Sequence, residues 1–321
     1  MRNVFLYAGQ GSQKAMMGID IYEAFNEYRE VVDNAKVICG SSNILVKDMM
    51  HKGSLEEISK TENTQPCMAT FAAGVTKVLK ANGIMPDATC GLSLGEYGAL
   101  YAAGVFDEME YINLTAHRGK VMADAASDCK CSMSAILGTD AKTVEEGCKE
   151  CREVGYVTVA NYNCSGQYVI CGEENAVEAT EKRLKEMGAK RCVRLNVSGP
   201  FHTKYMASAG EKLKEYFGTK DWNKPTIPVV MNVTGDFLKE DDNLKELMVK
   251  QVQSSVRFEE SIKKLLDSGA VNFIEIGPGN VLSGFVRKTA KESGKEVNIY
   301  NIDSADSLKN ILEKGDEING K

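Results

Sequence analysis

Ala88-Thr-Cys-Gly-Leu-Ser-Leu-Gly-Glu-Tyr97 decides the fold. Residues 88–92 are small and apolar and read as a short buried strand. From Ser93 onward Leu94, Tyr97, Ala99 and Leu100 recur at helical spacing. The junction is Gly91-Leu-Ser93-Leu-Gly95, a G-x-S-x-G whose glycines permit a sharp turn that projects the serine hydroxyl. At ordinary glycine frequency the bare pattern turns up by chance in roughly one of five or six chains this long. The strand-turn-helix setting is what makes it informative. It marks Ser93 as a candidate nucleophile, with a structural helix cap as the alternative.

The same alternation extends in both directions. Residues 3–7 are an apolar strand running into Ala-Gly-Gln-Gly-Ser-Gln (8–13), a tight loop, and helical periodicity covers 19–38. Thr64 reads as an N-cap with Pro66 in the first turn, and Met68, Phe71, Ala72, Val75 and Leu79 share one helix face. A further helix spans about 108–125. Between 131 and 197 the order becomes strand 133–137, helix 141–153, strands 156–162 and 167–171, helix 175–187 and strand 190–195. That βαββαβ order is the ferredoxin-like unit. Strand 229–232, helix 244–254, strand 273–276 and helix 281–292 then resume the first rhythm, and a frayed tail follows from about 313. The fold class is α/β: a parallel-sheet, α/β-hydrolase-like large subdomain (1–128 and 198–321) with an inserted ferredoxin-like small subdomain (129–197).

Composition removes several function classes. The 321 residues are 43% hydrophobic and 26% charged, as in ordinary globular proteins. Lys+Arg 39 against Asp+Glu 45 leaves a net charge of −6, unsuited to neutralising phosphates, so no nucleic-acid partner is expected. No apolar run reaches the roughly 18 residues of a membrane span, and residues 1–7 are too short for a signal-peptide core. A cytoplasmic monomer is expected. The ten cysteines are irregularly spaced, and in a large chain without a secretory signal a disulfide scaffold is not expected. Cys129-x-Cys131 with Cys148-x-x-Cys151 approaches a zinc spacing, but the first pair is one residue too close, so no metal is expected.

A nucleophilic serine needs a base, and the chain has three histidines. His51 lies in a polar segment and reads as a solvated helix end. His117 sits in mid-helix and reads as partly buried and structural. His202 follows Ser198-Gly-Pro-Phe201, a rigid turn that can fix an imidazole, and is the favoured base. A carboxylate partner for it is hard to find, because the stretch between 93 and 202 largely holds the inserted subdomain. Arg118, in Ala116-His-Arg-Gly-Lys120, lies on an otherwise apolar helix face. It is either a two-pronged carboxylate clamp or one half of a surface ion pair.

Six motifs in one order then make a specific resemblance. They are Gly-Gln-Gly-Ser-Gln (9–13), Thr-Gln-Pro (64–66), Gly-Leu-Ser-Leu-Gly-Glu-Tyr (91–97), Arg-Gly-Lys-Val-Met (118–122), Ser-Gly-Pro-Phe-His (198–202) and Glu-Ile-Gly-Pro-Gly (275–279). Together they resemble the malonyl-CoA:acyl carrier protein transacylase family over nearly the whole chain. The resemblance implies malonyl transfer from malonyl-CoA to acyl carrier protein in fatty-acid synthesis, through a malonyl-serine and without a cofactor. It implies Ser93 as nucleophile, His202 as base, and Gln251 as the residue whose backbone or side-chain oxygen orients the histidine. It further implies an oxyanion hole from the N–H groups of Gln10 and Leu94, and Arg118 as clamp for the malonyl carboxylate. Phe201 stands where malonyl-selective relatives often carry Phe. Two positions depart from the pattern: Leu92 replaces the usual His before the nucleophile, and Ala8 replaces the usual Pro.

Alternatives remain at this point: an acyltransferase serving a polyketide synthase, or a serine thioesterase or esterase on the same elbow. Acidic carrier proteins call for a basic docking patch, and Lys190, Arg191 and Arg194 are candidates. Their other reading is a charged, protected strand edge.

Overall fold

Val4, Phe5, Leu6 and Tyr7 are all fully buried, which a strand achieves only when both its faces are covered. Asn3–Tyr7 is an inner strand of a four-stranded sheet in the order Asn298–Ile302, Asn272–Ile276, Asn3–Tyr7, Ala88–Gly91, with every pairing parallel. The computed structural model describes residues 2–40, 43–127, 129–195 and 199–320. The sheet register aligns Ile276, Tyr7 and Gly91 at the carboxyl ends of their strands. The glycine-rich loop after Tyr7, the serine turn after Gly91 and the 277–280 loop therefore leave the sheet side by side. Ligand sites of open parallel sheets gather at such an edge.

The opposite edge is pinned by asparagines. Asn272 donates to the Asn3 side-chain oxygen (2.8 Å), and Asn298 donates to that of Asn272 (2.9 Å). Asn272 also donates to the Ile318 carbonyl (3.0 Å), as does the Arg2 guanidinium (2.7 Å). These bonds, with a fully buried Ile318, anchor a short closing helix, Gly315–Asn319. The tail expected to fray is thus ordered.

The chain divides into two compact units: residues 1–120, 221–231 and 263–321, and residues 121–220 and 232–262. In the second unit the strands lie in the order Arg191–Arg194, Cys131–Leu137, Gln167–Glu173, Val157–Cys164, all antiparallel. Helices Ala141–Glu150 and Glu174–Glu186 supply Val144, Cys148, Val177 and Leu184 to a core shared with Ile136, Val159 and Ile170. This unit is wider than the 129–197 segment read from the sequence. Its sheet gains a fifth strand, Val256–Arg257, parallel to Val157–Cys164, and helices Ala207–Gly218 and Leu244–Gln251 belong to it. The boundaries expected at 128 and 198 fall outside the described residues.

Three local readings are corrected. Periodicity over 19–38 is two helices, Ile19–Ala24 and Asn26–Asn34, broken where Phe25 turns extended. The Thr64 helix begins a turn earlier, as Thr61–Ala81, with Pro66 inside it. Thr64 does not cap it: it lies inside the first turn, where its hydroxyl donates to the Ile58 carbonyl (2.6 Å). The 229–232 stretch pairs only as an isolated bridge, Val229 beside Thr89.

The turn at Gly91–Gly95 is the tightest test of this packing. A Cβ on Gly95 would overlap the Tyr7 carbonyl, and one on Gly91 would overlap the Gly95 carbonyl. Gly95→Ala is expected to destabilise the protein by about 1–3 kcal/mol, the usual cost of overpacking. Chemical denaturation measures this, and an unchanged midpoint would refute it.

Candidate active site

Ser93 sits outside the helix that the sequence placed it in. Its backbone is left-handed (φ 54°), a conformation that side chains with a Cβ adopt only under constraint. The constraint is the glycine pair. Gly91 ends the strand, Gly95 begins helix Gly95–Ala102, and Leu94 is its N-cap. The turn is tied back by Leu92 N–H to the Tyr7 carbonyl (3.1 Å) and by Gly95 N–H to the Leu92 carbonyl (2.9 Å). Ser93 is consequently raised at the N-terminal end of a helix, where first-turn amides face outward. Gly9 closes on the Leu92 carbonyl at a distance that leaves no room for a side chain. That contact brings the Gln10 backbone beside the same turn, and the Gln10 side chain donates to the Thr61 hydroxyl (3.0 Å).

Arg118 is on helix Glu108–Ala126 and only 1% exposed, which removes the surface-ion-pair reading. Gly119 explains how it reaches inward: a Cβ there would press on the Thr61 carbonyl and Glu62 Cα at about 3 Å. The helix therefore packs closely on Thr61–Ala81. One guanidinium nitrogen donates to Gln65 Oε1 (2.7 Å) and another to Ser93 Oγ (3.2 Å). The guanidinium carbon lies 5.1 Å from the centroid of the Tyr97 ring. Burial pulls the Arg118 pKa down, while Tyr97 and the charge of Glu96 oppose that pull. An arginine so placed remains a cation. The structure thus joins Ser93, Leu94, Gln10 and Arg118 in the first unit and adds Gln65 and Tyr97. Both stand in the motifs of the resemblance, but the sequence reading gave neither of them a site role.

The second unit holds the histidine. His202 is 4% exposed and also left-handed (φ 61°). Its backbone N–H donates to the Val252 carbonyl (3.0 Å), and its Nδ1 lies 2.9 Å from the Gln251 carbonyl. A carbonyl only accepts, so Nδ1 carries the proton and Nε2 of the neutral ring is left to accept one. Of the two oxygens considered for Gln251, the backbone one makes this bond. Both carbonyls lie at the C-terminal end of helix Leu244–Gln251, where the helix dipole favours positive charge. The turn is closed by Thr203 Oγ1 donating to the Pro200 carbonyl (2.6 Å). Tyr205 donates to Glu173 (2.5 Å), and that carboxylate pushes the phenol up to about 12. Phe201 is buried, with Gly199 against it.

The cysteines do not form a four-sulfur site. Cys129 and Cys131 are paired with each other, a pairing the sequence reading did not include. Cys148 and Cys151 are buried free thiols in the second unit's core. Of the basic trio, Lys190 and Arg191 are exposed. Arg194 is engaged by Glu181 (2.6 Å) and Ser132 (2.7 Å).

Residues 4–310 match the acyl transferase domain family, so the class of protein is an acyl transferase domain. Malonyl CoA-acyl carrier protein transacylase of Bacillus subtilis (strain 168) is 41% identical over 285 residues, 88% of this chain and 89% of its own. The crystal structure of malonyl CoA-acyl carrier protein transacylase from Clostridium perfringens matches with TM-score 0.92 at 36% identity, covering 100% of this chain and 99% of that one. A malonyl-transacylase solved in complex with a type II polyketide-synthase acyl-carrier protein matches at 0.91 and 31% identity, over 98% and 100%. The chain belongs to the malonyl CoA-acyl carrier protein transacylase family.

The Gln251 geometry gives a direct test. Gln251→Leu leaves the carbonyl in place, so the acylation rate in rapid-quench assays is expected to fall less than about tenfold. A fall of about 10²–10⁴-fold, the size of losing a general base, would mean that the side chain does the orienting.

Proposed function

We propose that the protein transfers a malonyl group from malonyl-CoA to the phosphopantetheine thiol of an acyl carrier protein, through a malonyl-serine on Ser93. The observation that carries this reading is the buried Arg118 fork 3.2 Å from Ser93 Oγ. A hydrolase for neutral esters has no use for a desolvated guanidinium beside its nucleophile. A substrate bearing a free carboxylate does.

In this mechanism Ser93 Oγ attacks the thioester carbonyl while Nε2 of His202 takes its proton. The backbone N–H groups of Gln10 and Leu94 receive the oxyanion, and the Gln251 carbonyl holds the imidazole in the required tautomer. The thioester C–S bond breaks, His202 returns the proton to sulfur, and CoA leaves. The carrier thiol then gives its proton to His202 and attacks the malonyl-serine, regenerating the Ser93 hydroxyl. Arg118 pairs with the malonyl carboxylate throughout, and Phe201 packs beside His202 as a malonyl-selective residue. With Leu92 before the nucleophile, no second imidazole flanks Ser93. No cofactor or metal takes part.

We also propose that residues 129–197 are a ferredoxin-like insertion in an α/β-hydrolase-like body and that the protein is a cytoplasmic monomer. Among the described residues no helix is long and apolar enough to cross a membrane. Exposed Lys190 and Arg191 are the cations we assign to carrier docking. Fatty-acid synthesis is the assigned pathway, and transfer assays against fatty-acid and polyketide carrier proteins test that choice.

Ser93→Ala is expected to abolish the malonyl adduct in intact-mass spectra after mixing with malonyl-CoA. A full-stoichiometry adduct would remove Ser93 from the mechanism. His202→Ala should acylate about 10²–10⁴-fold more slowly, and a normal rate would exclude it as base. Arg118→Ala leaves the substrate carboxylate desolvated and unpaired, a cost of about 3–5 kcal/mol. That corresponds to roughly 10²–10³-fold or more in kcat/KM for malonyl-CoA. Acetyl-CoA has no carboxylate to lose, so its transfer should hold or improve. Equal losses on both thioesters would make Arg118 structural.

A further inference from the structure

We infer that Tyr97 is a specificity-determining positioning residue: its ring face holds the Arg118 guanidinium in the orientation that meets the substrate carboxylate. This rests on the reading of Arg118 as the carboxylate clamp. A guanidinium binds partners in two independent ways. Its N–H donors lie in its plane and take carboxylates at the edges, whereas its flat face stacks on aromatic rings. In the first unit one edge of Arg118 is occupied by Gln65 Oε1 and another nitrogen reaches Ser93 Oγ. The ring of Tyr97 lies under the guanidinium carbon at 5.1 Å.

Tyr97 is well suited to fix a charge. It is fully buried and belongs to helix Gly95–Ala102, four residues after the nucleophile. The next residue, Gly98, packs so closely on the Tyr7 ring and the Tyr111 hydroxyl that a Cβ would approach them to 2.6 and 2.8 Å. The ring therefore cannot slide away without moving the serine turn. Burial pushes its phenol up to about 12, so the ring stays neutral at physiological pH.

Neutrality is the point of the arrangement. An acidic side chain in the same place would saturate the fork and have to be displaced by every incoming carboxylate. A neutral ring steadies the cation without bringing a charge that would compete with the incoming carboxylate. Gln65, a neutral acceptor, sets the rotation of the fork about its axis, and Tyr97 sets its plane. The distance from Ser93 Oγ to the carboxylate subsite then follows from one rigid turn and helix.

The test is the ratio of kcat/KM for malonyl-CoA to that for acetyl-CoA. Tyr97→Leu should lower this ratio about tenfold, the size of a desolvated cation–π contact, with the change mainly in KM for malonyl-CoA. Tyr97→Phe, which keeps the face, should retain the ratio within about threefold. Stepwise fluorinated phenylalanines at position 97 keep the shape while draining the face of negative charge, so they remain informative should the leucine variant fail to fold. They should lower the ratio in graded order. A flat fluorination series, or equal loss on both thioesters in Tyr97→Leu, would overturn the inference. Arg118→Ala measured alongside separates the two failures. If it too leaves the ratio unchanged, the clamp reading falls; if only the Tyr97 series is flat, the clamp stands and Tyr97 is a packing residue.

Discussion

A guanidinium removed from water sets the most exacting demand on the packing around the serine turn. Arg118 lies nearly inaccessible on a long helix, and a buried cation is tolerated only where neighbours replace its hydration. Those neighbours come from separate segments: Gln65 from the Thr61–Ala81 helix, Ser93 from the serine turn and Tyr97 from the helix behind it. Each needs a close backbone approach to arrive. Gly119 permits one, and the Gly91–Gly95 pair permits the other. The glycines of the motifs are thus spatial requirements of the charge as much as of the turn.

The second unit solves a different problem by similar means. Two consecutive carbonyls at a helix end, those of Gln251 and Val252, fix the ring and the backbone of His202. The left-handed backbone of His202 matches that of Ser93. In both places an ordinary residue adopts a conformation usually left to glycine, because the bonds around it leave no alternative.

How much of this was legible depended on whether the information was local. The serine turn was, because its glycines encode the geometry directly. The antiparallel unit was, because period-two strands and period-3.6 helices alternate cleanly there. His202 stood out through the rigid turn before it. Arg118 was recognisable as odd, but whether it met solvent or a cleft depended on burial, which no local pattern carries. Gln65 and Tyr97 were invisible as site residues, since their types suit any helix core. Thr64 misled because a threonine before a proline imitates a cap, while its hydroxyl is claimed by a carbonyl six residues back. The Asn298–Ile302 strand went unread because its asparagines look like loop residues; Asn298 in fact belongs to the ladder that fixes the sheet register. Val256–Arg257 was hidden too, since a two-residue strand exists only by virtue of its partner.

The orienting group of His202 is neutral, and for an enzyme with an anionic substrate this has an electrostatic consequence. A carboxylate behind the imidazole would raise its basicity, but it would also add a fixed negative charge to a site that must admit a malonate ester. The Gln251 carbonyl orients the ring as a dipole, with a field that falls off far faster than that of an ion. In the proposed mechanism the group that orients the base therefore brings no fixed negative charge to compete with the Arg118 cation. Selectivity for an acid and activation of an alcohol, which would oppose each other in an Asp-His-Ser arrangement, become independent in the proposed mechanism.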